Sequence, residues 1–166
     1  MNITHKVNIF YDDKKWFNKR TFSSKKILEK TINDLAQKTL ELGVSKSKFK
    51  KKNSFNCSIS FILSNDKLLK VLNKKFLKKD KATNVLSFPN NDFQKKNINF
   101  LGEIYLAHNI CYKEAKELNI PEVNRVKHLI IHGILHLLGF DHNNIKEEKK
   151  MKELESNILN LLQIKV

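Results

Sequence analysis

The stretch "EVNRVKHLIIHGILHLLGFDH", residues 122–142, decides how this chain is read. Over 122–138 apolar residues fall on most faces of a helix, which predicts a helix at the centre of the molecule rather than on its surface. His132 and His136 are four apart, so both rings project from one side of that helix about one turn apart. Gly139 follows, and glycine takes the left-handed conformation that ends a helix and turns the chain. The turn can bring His142 back towards the other two. The pattern H-x-x-x-H-x-x-G-x-x-H is therefore a three-ligand plan for a metal ion. It leaves a fourth tetrahedral position open, as catalytic zinc does and structural zinc usually does not. Neutral imidazoles also suit nickel, copper or iron. His128 extends the stripe, but on a straight helix it lies ~12 Å along the axis from His136 at 1.5 Å per residue. All three helical histidines cannot reach one ion, and His128 is expected in the core or behind a ligand.

Outward from this helix, the elements alternate. "VNIFY" (7–11) predicts a strand and "SSKKILEKTINDLAQKTLELG" (23–43) a helix, with Ile27, Leu28, Ile32, Leu35 and Leu40 at helical spacing and Gly43 as its C-cap. In "FNCSISFIL" (55–63), Phe55, Cys57, Ile59, Phe61 and Leu63 share one face of a strand. A helix follows, with Ser64, Asn65 or Asp66 as N-cap candidates. "TNVLSFP" (83–89) is a short strand stopped by Pro89, and residues 90–99 form a polar loop. "FLGEIYLA" (100–107) is the next strand, which can pair with 83–88 across that loop. A helix over "NICYKEAKELNI" and the metal-binding helix come next. The final helix, roughly 145–162, carries Met151, Leu154, Ile158 and Leu161 on one stripe and mixed charge outside, and reads as packing. The expected class is α+β: a small mixed sheet of about four strands covered by helices, in one domain over 1–166.

The chain has 166 residues, a formal net charge of +15, two cysteines and a mean hydropathy of −0.47. No apolar run approaches the ~20 residues that span a bilayer, and the N-terminus lacks the apolar core of a signal peptide. A cytoplasmic location without membrane contact is expected, with Cys57 and Cys111 as buried free thiols. Lysine carries the positive excess, with only Arg20 and Arg125 as arginines, and it concentrates at 45–53 and 73–81. Such a surface attracts nucleic acid. The abundance of Asn and Ile is equally what an AT-biased genome would give.

The histidines and glycine match the zinc site of metzincin proteases, which place Glu directly after the first His as general base. Gly133 stands there, and that absence argues against peptide hydrolysis. A metal ion can still acidify water and polarise a phosphoryl oxygen. With the basic surface, this points to phosphodiester cleavage. Asp141, beside His142, is either a base or partner to the ligands or a turn residue.

"HGILHLLGFDH" resembles the signature of the YbeY family of bacterial endoribonucleases. "KKDKATNVLSFP" (78–89), "LGEIYLA" (101–107) and "KHLIIHG" (127–133) extend the resemblance over roughly 55–160. It implies a single-strand-specific, zinc-dependent endoribonuclease acting in small-subunit rRNA 3′-end maturation and ribosome quality control. His132, His136 and His142 would hold one Zn²⁺, and the small ribosomal subunit would be a partner. Lys74, Lys75, Lys78 and Lys79 are the residues expected to hold the RNA backbone. The chain departs from the family pattern at Leu77, where an arginine usually precedes Gly-Lys-Asp, at Ala82 in place of proline, and at Glu103 in place of aspartate. A lysine nearby lacks the two-pronged fork of the missing guanidinium. The alternatives are a non-catalytic zinc-containing ribosome assembly factor and a metallopeptidase-like hydrolase.

Overall fold

The alternation at 55–63 is realised in full: Phe55, Cys57, Ile59, Phe61 and Leu63 are all buried, on the same side of a strand. They lie in β2 (Ser54–Ser64) of a computed structural model that describes residues 2–17, 21–50, 54–93, 95, 99–142 and 144–166. The other elements are β1 (Asn2–Tyr11), α1 (Lys25–Val44), α2 (Asp66–Leu77), β3 (Val85–Pro89), β4 (Phe100–Ala107), α3 (His108–Glu117), α4 (Glu122–Leu137) and α5 (Ile145–Leu161), with a short 3₁₀ turn at Lys14–Phe17. Arg20, Lys51, Lys52, Asn53 and part of the 90–99 loop lie outside the described residues.

The four strands form one mixed sheet in the order β1-β2-β4-β3. β1 and β2 are parallel, as are β2 and β4, while β3 runs antiparallel to β4 across the predicted loop. The α+β class and the 83–88/100–106 pairing stand. β1 is longer than the predicted 7–11, because ten residues pair with β2 in unbroken register. Its first half alternates exposed and part-buried residues at the sheet edge, with Ile3, Val7 and Ile9 packed on the core.

Helices cover both faces. Ile104 and Leu106 of β4 join β2, α1 and α4 in the main core. The intervening Tyr105 and Ala107 point the other way and meet Leu69 and Leu72 of α2, with Leu86 and Phe88 of β3. α2 starts at Asn65, whose side chain accepts the Lys67 and Leu68 N–H groups, and ends at Lys78 in the left-handed conformation (φ 60). No described helix is long and apolar enough to cross a membrane, and both cysteines are free and buried.

α4 is the central helix. Val126, Leu129, Ile130, Ile131, Ile134, Leu135 and Leu137 are all buried, and each such side chain contributes ~1.5–3 kcal/mol relative to exposure. Glycine lets its neighbours approach. Gly43 is not the predicted C-cap. α1 continues through it to Val44, and Ser45 caps with right-handed backbone. What Gly43 supplies is room, since a Cβ there would stand 2.6 Å from Leu138 Cδ1. Gly102 has φ 151, and a Cβ would strike the Phe88 carbonyl and approach Leu137 Cδ2 to 2.8 Å. The final helix corrects the predicted stripe at one position. Met151, Leu154 and Ile158 are buried as expected, whereas Leu161 is 62% exposed and Leu159 takes the inward place.

Candidate metal centre

The end of α4 closes as the glycine requires. Gly139 is left-handed (φ 87), its N–H bonds the His136 carbonyl at 2.9 Å, and the Phe140 N–H bonds the Leu135 carbonyl at 3.1 Å. This pair of bonds is the Schellman motif, and it satisfies carbonyls that a helix end leaves open. Phe140 is buried and anchors the turn. The chain then returns His142 to the helix. Its ring centroid lies 4.8 Å from that of His136 and 5.7 Å from that of His132. One nitrogen from each of the three histidines lies within 4.8 Å of the others. Two nitrogens on one tetrahedral ion at ~2.05 Å would be about 3.3 Å apart. His132 and His136 already meet Nε2 to Nε2 at 3.0 Å, and the exposed His142 ring completes the group by rotation.

The hydrogen bonds aim these nitrogens. His132 Nδ1 is 2.8 Å from Glu155 Oε1 on α5. An ionised carboxylate only accepts, so Nδ1 carries the proton and the Nε2 lone pair faces His136. Burial alone would raise the Glu155 carboxyl, but hydrogen bonds from His128 and His132 outweigh it and bring it to about 2. The His136 ring bonds the Phe140 backbone carbonyl. Burial, then the neighbouring His132 and His142, lower its pKa to about 4, so it is neutral at pH 7. Each ring, with its other nitrogen engaged, thus turns its Nε2 atom towards the other. Facing lone pairs at that distance repel unless a cation lies between them. The residues fit a metal ion.

A match to the family model for the endoribonuclease YbeY covers residues 18–163. The chain belongs to the YbeY endoribonuclease family. It is 35% identical to the endoribonuclease YbeY of Ehrlichia canis over 159 residues, covering 96% of this chain and 93% of that one. It is 40% identical to the Aquifex aeolicus YbeY over 108 residues, 64% of this chain and 71% of that one. A solution structure of a Thermotoga maritima protein superposes with a TM-score of 0.53 at 25% identity, covering 95% of this chain and 92% of that one.

The histidine group opens on a cleft of about 380 Å³ lined by His132, His142, Glu148, Met151, Lys152 and Glu155. Asp141 serves the turn: its Oδ1 accepts the His142 N–H at 2.8 Å and lies 3.9 Å from His136 Nδ1. His128 is outside the metal group, as the helix geometry predicts, and its Nε2 lies 3.2 Å from Glu155 Oε2.

The four sequence-predicted lysines stand elsewhere. Lys74 and Lys75 occupy the last turn of α2, Lys78 caps it and Lys79 follows. α2 packs on the sheet face opposite α4, and none of the four lines the cleft. Lys74 pairs with Asp80 at 2.8 Å. Leu77 is exposed on the same turn. Gly133 is more than a missing carboxylate. A Cβ there would stand 3.0 Å from Ile104 Cγ2, 3.1 Å from its Cδ1 and 3.1 Å from Ser87 Oγ. α4 lies directly on β3 and β4 at this point, and any side chain would crowd Ile104.

The residue that sequence reasoning missed is Glu155. α5 is not packing alone, because its carboxylate orients His132. The signal was present: Glu155 sits four residues after Met151 and three before Ile158, on the helix's apolar stripe. A carboxylate on a buried stripe needs partners.

Proposed function

We propose that this protein is a zinc-dependent, single-strand-specific endoribonuclease acting in small-subunit rRNA 3′-end maturation and ribosome quality control in the cytoplasm. Residues 1–166 would act as one domain. The observation that carries the reading is the convergence of one ring nitrogen from each of His132, His136 and His142 within 4.8 Å, in a chain of the YbeY endoribonuclease family. Zinc, when bound, supplies Lewis acidity towards a phosphodiester. His132, His136 and His142 hold it, and Glu155 and the Phe140 carbonyl keep the first two rings aimed. Asp141 fixes the turn that presents His142, and its carboxylate is the acidic group nearest His136 on that loop. Lys74, Lys75, Lys78 and Lys79 hold the RNA backbone on the far side of β3, by charge attraction to phosphates.

The test is zinc content and cleavage of a defined single-stranded RNA, wild type against His136→Ala. Both are expected to fall together, and full cleavage by zinc-free variant protein overturns the proposal. Leu77 favours a second reading, a zinc-containing ribosome assembly factor without catalysis. Tight binding to the small subunit with no cleavage after zinc loading would select it. The contacts at Gly133 weigh against a metallopeptidase that uses a base at that position.

A further inference from the structure

Arg125, in the first turn of α4, lies one helical turn before His128 and two before His132. Its guanidinium is mostly buried and held from two sides. Nε and Nη2 donate to Glu114 Oε2 of α3 at 2.9 and 2.8 Å. The Glu114 carboxylate in turn accepts from Asn84 Nδ2, just before β3, at 2.9 and 3.0 Å. This leaves Nη1, which lies 3.0 Å from His128 Nδ1.

A guanidinium has donors, no acceptor, and keeps its charge. His128 Nδ1 must therefore accept, and its ring proton sits on Nε2. That proton faces Glu155 Oε2 at 3.2 Å. The other oxygen of the same carboxylate accepts a hydrogen bond from His132 Nδ1–H at 2.8 Å, which leaves the lone pair of His132 Nε2 facing the other histidines. Two histidines one turn apart are thus held in opposite tautomers. The direction of the whole series is set at its far end by the one group that cannot reverse.

We infer that Arg125 is a positioning residue for the metal centre: acting through His128 and Glu155, it fixes the tautomer and aim of the ligand His132. The inference rests on the metal reading above. Without the guanidinium, His128 can move its proton to Nδ1. Its Nε2 lone pair would then face a carboxylate oxygen, and the hold on His132 loosens. Partners of this kind change metal affinity by roughly 10–100-fold when removed, and Arg125, one group further out, belongs at about 10-fold.

The experiment uses the full chain labelled with nitrogen-15 and reads imidazole proton–nitrogen correlations, which report tautomers directly, with and without zinc. Wild type should show His128 protonated on Nε2 and His132 on Nδ1. In Arg125→Met, His128 should shift towards the Nδ1-protonated form, zinc affinity against a competing chelator should fall about 10-fold, and the visible spectrum of bound cobalt should change. Arg125→Lys, which keeps a cationic donor, should recover part of the affinity. Glu114→Gln keeps the Arg125–His128 bond and controls for loss of the ion pair, so its tautomers should match wild type. An Nδ1-protonated His128 in wild type overturns the inference. So does a folded Arg125→Met with unchanged tautomers and zinc affinity. Wild-type protein that binds no zinc overturns the metal reading and this inference together, whereas zinc bound with unchanged tautomers in Arg125→Met overturns the inference alone.

Discussion

Gly133→Ala separates two accounts of a glycine in the middle of a helix. An unconstrained helical glycine would gain about 1 kcal/mol on becoming alanine. Here the new Cβ would meet Ile104 Cγ2 at 3.0 Å and Cδ1 at 3.1 Å. Ile104 is fully buried in an inner strand and β-branched, so it cannot withdraw, whereas the Ser87 hydroxyl at 3.1 Å can rotate. Overpacking of this kind costs about 1–3 kcal/mol. Subtracting the propensity gain leaves a net loss of about 1 kcal/mol. Urea denaturation followed by circular dichroism measures it. Ile104→Val removes Cδ1 and costs about 0.5–1.5 kcal/mol alone. It should cost less in the Gly133→Ala background, with a coupling of at least about 0.5 kcal/mol. A stabilised Gly133→Ala, or a strictly additive double mutant, would refute the close-packing argument. It would also reopen the position to a side chain such as the glutamate of peptidases.

Three further outcomes are expected. Glu155→Gln should lower zinc affinity by roughly 10–100-fold, read by chelator competition, because it leaves His132 Nδ1 without its anionic acceptor. Unchanged affinity would remove Glu155 from the site. The metal-free protein should lose stability between pH 6.5 and about 4. His136 falls from 6.5 to about 4 on folding, so the unfolded chain binds the extra proton in that window and stability rises with pH through it. His136→Asn should flatten this part of the urea-midpoint profile. Leu77→Arg changes a side chain that is 51% exposed and should alter stability by no more than about 0.5 kcal/mol while raising the rate of RNA cleavage. An unaltered rate would show that the missing cation is not what sets turnover.

The three-histidine group was legible because the whole device is local. Two turns of helix, a glycine with φ 87 and one returning residue lie within eleven positions, and each follows from backbone geometry. β2 was legible for the same reason, since strict alternation admits one burial pattern. What escaped depends on contacts distant in sequence. Glu155 reaches His132 across 23 residues, and nothing in local periodicity announces which buried carboxylate meets which ring. Gly43 looked like a helix terminator, yet its role is set by Leu138 approaching from another helix. The first half of β1 is polar at every position but Ile3, and only its register with β2 makes it a strand. The lysines at 73–81 showed as charge, but charge carries no address. Their place across the sheet from α4 follows from the packing of α2.

The position of Glu155 on α5 also orders events during synthesis. The three histidines leave the ribosome before the carboxylate that aligns one of them, and α5 must dock on α4 before that bond can form. A nascent or nicked chain ending near residue 150 would carry all three histidines and still lack the carboxylate that aligns His132. Alignment of His132 thus waits on the docking of α5, a contact between elements far apart in the chain.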